Sequence, residues 1–286
     1  MTFSIVAWDP TAPSGPNWGV AVASKFLAAG AVVPWARAGA GALATQAYAN
    51  LDYGPEGLGR LAGGEDAADV VAALTDADEG RAERQLGIVD ASGKAASYSG
   101  EACLEWAGGV VGEGFCCQGN ILTGPDVVES MAEAFRATEG DLADRLLAAL
   151  RAGDLAGGDR RGRQSAALLV VRDGGGYLGS SDVAVDLRVD DHSDPVAELD
   201  RILEVHGVLF PRPEELDWIE VDEALAVELR RRLEATGRDP GSGSEYDDGL
   251  RSALSEWMGI ENLELRWSEE ARIDRTVLDM LRRSTH

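Results

Sequence analysis

Short apolar runs separated by turn-forming residues dominate the first 46 residues of the chain, and this pattern predicts β-strands. A segment rich in proline, glycine and asparagine separates the first two runs, which predicts a hairpin with a long loop. The predicted strands cover residues 3–8, 18–24, 31–37 and 41–46.

Helical spacing of apolar residues follows, and strand-like and helix-like stretches then come in groups. We predict helices at residues 56–61, 66–74, 127–137, 141–152 and 195–205. We predict strands at 84–90, 94–98, 166–171 and 184–189, and a short strand or loop at 115–121. Segregated groups of this kind are typical of an α+β sandwich with helices outside packed sheets.

The last quarter of the chain has a different pattern, because apolar residues at helical spacing dominate it. A segment containing two prolines, 210–213, precedes this region and reads as a linker. We therefore predict a first domain over residues 1–206, a linker over 207–213 and a small helical domain over 214–286.

The net charge of the chain bears on which classes of molecule it can bind. The chain has 50 acidic and 26 basic residues, a formal net charge of −24. Nucleic acids and anionic membranes need basic surfaces, so we expect neither as a partner. No apolar run reaches the roughly 18 residues of a membrane span. No basic-then-apolar leader precedes the first strand, so we expect a cytoplasmic protein.

Cysteine and histidine usage bears on metals and cofactors. The three cysteines and three histidines form no CxxC, HExxH or HxH pattern. We therefore expect no metal site and no cofactor.

The start of the chain carries the main chemical hypothesis. Removal of Met1 would leave Thr2 with a hydroxyl and a free α-amine, which together form a nucleophile and its own base. Residues two apart in a strand share a face, so Ser4 would lie beside Thr2. The alternative is an ordinary second residue on a half-exposed edge strand.

Two residues at the end of the second strand would lie near Thr2 in the predicted hairpin. These are Ser24 and Lys25, and Lys25 is one of only two lysines in the chain. An ammonium group there would lower the pKa of the threonine hydroxyl and amine. The alternative is a solvated turn lysine.

Further polar residues at strand ends are candidates for oxyanion or substrate contacts. The alternatives are turns, helix caps and solvated loops. The amide and hydroxyl candidates are Thr45, Gln46, Asn50, Gln118 and Asn120. Two arginine-containing segments suit carboxylate recognition, and they contribute Arg163, Gln164 and Arg188. Asp190 could orient the N-terminal amine, and the alternative is a cap of the helix that follows.

Several short sequence segments, taken in chain order, resemble the DUF1028 family over roughly residues 1–206. They are MTFSIVA at 1–7, GVAVASKFL at 19–27, VPWARAG at 33–39, ATQAYAN at 44–50, QGN at 118–120, GDRRGRQSAA at 158–167 and VDLRVDDH at 185–192. The family looks like the N-terminal-nucleophile hydrolases, which implies a four-layer αββα sandwich. The resemblance also implies that Thr2 is the nucleophile. The helices between residues 221 and 283 resemble a peptidoglycan-binding-like module.

These observations predict an amide-bond hydrolase acting on a small amide or peptide substrate with an acidic group. Relatives of this fold class often associate through outer helices, so a homo-oligomer is one expected state. One alternative is a non-catalytic binding or assembly protein that retains the fold. Another is a cell-wall-associated module that binds peptidoglycan, although the predicted lack of a signal peptide conflicts with that location.

Overall fold

The computed structural model describes residues 2–284. The chain divides into two compact units, one ending at Ile202 and the other starting at Leu203. The described strands of the first unit are β1 (Thr2–Asp9), β2 (Asn17–Ser24), β3 (Pro34–Arg37), β4 (Gly41–Ala47), β5 (Arg84–Asp90), β6 (Ala95–Ser99), β7 (Gly108–Gly112), β8 (Phe115–Asn120), β9 (Ser165–Val171) and β10 (Val183–Val189). Its helices are α1 (Tyr53–Ala62), α2 (Ala67–Asp76), α3 (Asp126–Ala137), α4 (Leu142–Leu155) and the first part of α5 (Pro195–Leu209).

The ten strands described in this unit form two antiparallel sheets. The larger sheet has the order β10-β9-β2-β1-β8-β7, and the smaller has the order β3-β4-β5-β6. β1 lies inside the larger sheet, where Ser4 is opposite Val22 on β2 and Gln118 on β8. Because β1 has a neighbouring strand on each side, the position of its first residue is fixed at the end of these interior strands.

The two sheets face each other across an apolar layer. Alternation along β1 directs Val6 into that layer, where it clusters with Val22, Ala44, Val89 and Cys116 from both sheets. By the same alternation, Thr2 and Ser4 lie on the face of β1 that looks towards the smaller sheet.

Helices cover the outer faces of both sheets. Val70 and Leu74 of α2 pack with Leu43 and Ile88 of the smaller sheet. On the larger sheet, α4 packs closely on β2, and a Cβ at Gly19 would lie 2.6 Å from Leu146 Cδ1. The mixed α/β class with antiparallel sheets is therefore confirmed.

Two details differ from the sequence-based prediction, and one predicted alternative is resolved. β7 was not predicted, because three of its five residues are glycine, which is depleted in strands. The predicted strand at 31–37 begins only at Pro34, because a short 3₁₀ turn over Ala29–Ala31 precedes it. The ambiguous segment 115–121 is a strand, since β8 pairs with both β1 and β7.

The second unit combines helices with one small two-stranded sheet. Its elements are the last part of α5, β11 (Trp218–Glu220), α6 (Glu223–Ala235), α7 (Asp248–Ile260), β12 (Arg272–Asp274) and α8 (Arg275–Arg283). Leu229, Leu254, Trp257 and Leu281 are buried together in its core. The sequence predicted the three full helices but neither strand, because three-residue strands give no periodic signal.

A buried ion pair fixes the centre of this unit. Arg266 Nη1 lies 2.9 Å from Asp274 Oδ1, and both side chains are almost completely buried. Arg266 also donates to the carbonyl oxygens of Gly207 and Val208, at 2.9 and 2.7 Å. Asp274 in turn caps α8 by accepting from the backbone N–H of Thr276.

We expect Asp274→Asn to destabilise the second unit by about 3 kcal/mol or more, because it leaves the Arg266 charge buried without its counterion. Chemical denaturation followed by tryptophan fluorescence measures this change. The matched control is Asp217→Asn, since Asp217 pairs with Arg275 where both side chains are more than half exposed. Asp217→Asn should lower the free energy of unfolding by less than about 1 kcal/mol. Equal losses in the two variants would contradict the assignment.

Candidate functional site

Thr2 lies at the first described position of β1, held by strands on both sides. The β1–β2 register pairs Phe3 with Ala23, which brings Thr2 beside Ser24, and the β1–β8 register pairs Thr2 with Asn120. The hydroxyl oxygens of Thr2 and Ser24 are 3.0 Å apart and share a buried hydrogen bond. The structure therefore brings together Thr2, Ser24 and Asn120, three of the site residues that we predict from the sequence.

A pocket of about 390 Å³, here called the Thr2 pocket, opens beside this hydroxyl pair. Thr2, Gln46 and Arg84 line it together with residues from the segments 26–33 and 47–51. The first segment follows β2 and the second follows β4, so the pocket lies where both sheets end. Its volume lies within the roughly 300–1,000 Å³ range of small-molecule sites.

A chain of buried side-chain hydrogen bonds runs between the sheets next to Thr2. Gln118 Nε2 donates to Ser4 Oγ at 2.7 Å, and Ser4 Oγ donates to Gln46 Oε1 at 2.7 Å. Gln46 Nε2 then donates to Gln85 Oε1 at 2.7 Å and lies 3.4 Å from the Thr2 carbonyl oxygen. The predicted residues Ser4, Gln46 and Gln118 thus belong to one amide network.

Gln85 is the centre of this amide network, and the sequence analysis missed it. Its Oε1 also accepts from Asn120 Nδ2 at 2.8 Å, while its Nε2 donates to Ser99 Oγ and the Gly119 carbonyl at 2.7 Å each. The available signal was a glutamine inside the predicted strand 84–90, on the same face as Gly87 and Val89. Gly87 leaves space for the network, since a Cβ there would lie 2.1 Å from Gln118 Oε1.

Lys25 follows Ser24, but its side chain is directed elsewhere. Its ammonium donates to the Arg163 carbonyl at 3.2 Å, and its backbone N–H donates to Asp159 Oδ2 at 2.9 Å. Asp159 is buried and also accepts from the Arg161 guanidinium at 2.9 Å. Asp159 therefore anchors the turn after β2 to the arginine-rich loop, a role that the sequence analysis did not assign.

The arginine-rich loop lines a separate groove of about 500 Å³, here called the Arg163 groove. Ser24 reaches this groove, whereas Thr2 lines the Thr2 pocket instead. Arg163 Nε donates to Asp154 Oδ1 at 2.7 Å, and this contact raises the pKa of the guanidinium. Gln164 contributes only its backbone to the described hydrogen bonds. Its N–H donates to the Ser24 carbonyl, and its carbonyl accepts from the backbone N–H of His192.

Arg188 lies near the end of β10, and Asp190 directly follows this strand. Arg188 makes a two-point contact with Asp186, at 2.8 and 3.0 Å, so its charge is already paired. The Asp190 carbonyl accepts from the backbone N–H of Ala28. The Asp190 contact holds the loop after β2, and neither the Arg188 nor the Asp190 side chain lines the Thr2 pocket.

Thr45 and Asn50 support the loop that borders the Thr2 pocket. Thr45 alternates with Gln46 on β4 and donates its hydroxyl to the Asn50 carbonyl at 3.1 Å. Asn50 Nδ2 donates to Asp78 Oδ2 at 3.1 Å. Arg84 lies 2.9 Å from the same carboxylate and holds the Asp78 pKa well below its usual range. Burial, together with the hydrogen bond to Asp78, raises the pKa of the Tyr53 hydroxyl.

The adjacent cysteines Cys116 and Cys117 are free and buried, which disfavours their thiolate forms. Burial raises the pKa of the Cys116 thiol to about 12 and also raises that of Cys117. Among residues 2–284, no group of three or more His, Cys, Asp or Glu side chains could hold a metal ion. None of the helices described in this range has the length and apolar character needed to cross a membrane.

The family model described as a "Family of unknown function (DUF1028)" matches residues 2–199. The chain belongs to the DUF1028 family. A second model, described as a "Putative peptidoglycan binding domain", matches residues 209–281 of this DUF1028 protein. Both family resemblances inferred from the sequence are thus confirmed.

A crystal structure from Silicibacter pomeroyi that matches the DUF1028 family model is similar to this DUF1028 protein, with 34% identity and a TM-score of 0.65. That similarity covers 72% of this chain and 89% of the other. The Gly-1 mutant of Anbu from Hyphomicrobium sp. strain MC1 has 13% identity and a TM-score of 0.30, covering 76% and 100% of the two chains. Comparison with curated proteins gives no match.

We expect Gln85→Leu to destabilise the first unit of this DUF1028 protein by about 3 kcal/mol, because it leaves several buried amide groups without partners. Urea denaturation measures the loss. Gln164→Leu is the matched control, since the described hydrogen bonds of Gln164 come from its backbone, and it should cost less than about 1 kcal/mol. A change of the same small size in both variants would show that the amide network contributes little to stability.

Proposed function

We propose that this protein is an amide-bond hydrolase whose nucleophile is the hydroxyl of Thr2, exposed with its α-amine once Met1 is removed. The observation that carries the proposal is the buried Thr2–Ser24 hydroxyl pair, 3.0 Å apart, on the wall of the Thr2 pocket. The two facing sheets with outer helices support an N-terminal-nucleophile sandwich, the fold that the family resemblance implies. The catalytic part would be the first unit and the accessory domain the second unit, with the boundary at Leu203 instead of the linker 207–213 expected from the sequence.

The chemistry needs only groups at this strand end. An unperturbed α-amine has a pKa of about 8, so a large fraction is neutral near pH 7.5 and can take the hydroxyl proton. The Thr2 oxygen then attacks the substrate carbonyl, and the collapsing intermediate expels the amine, which leaves with that proton. Water hydrolyses the resulting ester, releases the acid and restores the threonine hydroxyl.

The neighbouring residues have supporting roles in this proposal. Ser24 would orient the Thr2 hydroxyl through their hydrogen bond. Asn120, the β8 partner of Thr2, would supply an amide donor for the oxyanion or the substrate. Gln46 would hold β4 beside Thr2 through its bonds in the buried network. Lys25 would act through its charge alone, since its ammonium donates to the Arg163 carbonyl.

We expect a small β-lactone to acylate the purified protein once, on Thr2, after Met1 has been lost. Intact mass and peptide mapping measure the adduct and its position. Thr2→Ala should abolish the adduct. Ser24→Ala should slow its formation about 100-fold, because it removes the hydrogen bond that orients the Thr2 hydroxyl.

Thr11→Ala is the matched control, because Thr11 lies in the exposed loop after β1 and should leave the labelling rate unchanged. Retention of Met1 without any adduct would instead favour a binding or assembly protein that keeps the fold.

The match of residues 209–281 to a peptidoglycan-binding model favours a second candidate function, recognition of peptidoglycan by the second unit. Co-sedimentation of the full chain with purified peptidoglycan tests it. Binding that persists in Thr2→Ala would separate this role from catalysis, and protein that stays entirely in the supernatant would exclude it.

A further inference from the structure

We propose that the Thr2 pocket holds an uncharged aliphatic or aromatic acyl group of the substrate. This inference rests on the proposed amide hydrolase and names its substrate class. It replaces the acidic substrate group expected from the arginines in the sequence.

The Thr2 pocket lies next to the ester bond that would form between the Thr2 oxygen and the acyl carbon. In the ester intermediate the acyl carbon is bonded to the Thr2 oxygen, and the acyl group therefore has to occupy space beside that oxygen. Thr2 itself lines the Thr2 pocket. The Arg163 groove is lined by Ser24 but not by Thr2, so it is less suited to an acyl group attached to Thr2.

The walls of the pocket are mostly apolar. Phe26, Val32 and Val33 line it from the segment after β2, and Leu51 lines it from the segment after β4. Phe26 and Leu51 are 55% and 49% exposed, which is a large fraction for apolar side chains. An apolar group that covers them would remove this surface from water, which favours binding.

Two polar side chains of the pocket, those of Arg84 and Gln46, are already engaged by other groups of the protein. The Arg84 guanidinium lies 2.9 Å from Asp78 and donates to the Tyr48 carbonyl at 2.7 Å. Gln46 uses its amide within the buried network. A substrate carboxylate would have to compete with Asp78 or lose its hydration without a free cation, and this cost disfavours acidic groups here.

Two β-lactones of equal chain length test the proposal, one with a hexyl substituent and one with a carboxypentyl substituent. We expect the hexyl lactone to acylate Thr2 about tenfold faster or more, as measured by intact mass over time. Leu51→Glu should remove most of this preference, because it places a charge at the pocket wall. Leu178→Glu, at a 73% exposed leucine outside the pocket lining, should keep it.

Unsubstituted β-propiolactone separates this inference from the proposed function. If it labels Thr2 in both the wild type and Leu51→Glu, the nucleophile is intact in both proteins. The ratio of hexyl to carboxypentyl labelling rates within each protein then reports the pocket. Equal or faster labelling by the carboxypentyl lactone, with β-propiolactone still reacting, would overturn the acyl-pocket proposal alone. Absence of labelling by all three lactones would overturn the proposed hydrolase and the acyl pocket together.

Discussion

The need to satisfy buried amide groups is the constraint on which the site end of the sandwich depends. Gln85 accepts from Gln46 and Asn120 and donates to Ser99 and a β8 carbonyl, so one side chain joins four strands. A buried amide without partners is costly, and these contacts therefore favour a single relative position of the two sheets. The place of Thr2 follows from that position, because Gln46 also approaches the Thr2 carbonyl oxygen.

Arginine pairing weakens the sequence-based argument for an acidic substrate group. Arg84, Arg163 and Arg188 each contact an aspartate, at 2.9, 2.7 and 2.8 Å. The Arg84 pair joins a loop to a strand end, the Arg163 pair joins a loop to the end of α4, and the Arg188 pair lies within β10. At Arg84 the aspartate balances the charge of the guanidinium that lines the pocket. In a chain with 50 acidic residues, carboxylates within the protein are available to occupy its arginines.

Much of the fold was predictable because its signals are local. The hairpin of β1 and β2 and the shared face of Thr2 and Ser4 follow from turn residues and a period of two. The partners of the site residues were not predictable, because Ser4 meets Gln118 across 114 sequence positions and Lys25 meets Asp159 across 134. No periodicity encodes such contacts. Residues with ambiguous local signals, such as Thr45 and Asn50, proved to support a loop rather than to line the Thr2 pocket.

The Arg266–Asp274 pair has a consequence for where the polypeptide can be divided. Arg266 donates to the carbonyls of Gly207 and Val208, which lie within α5 and upstream of its last residue, Leu209. Val208 and Leu209 also pack against the core of the second unit. A fragment that started at Glu214 would lose these carbonyls and expose the guanidinium. An autonomous C-terminal fragment therefore has to include the last turns of α5.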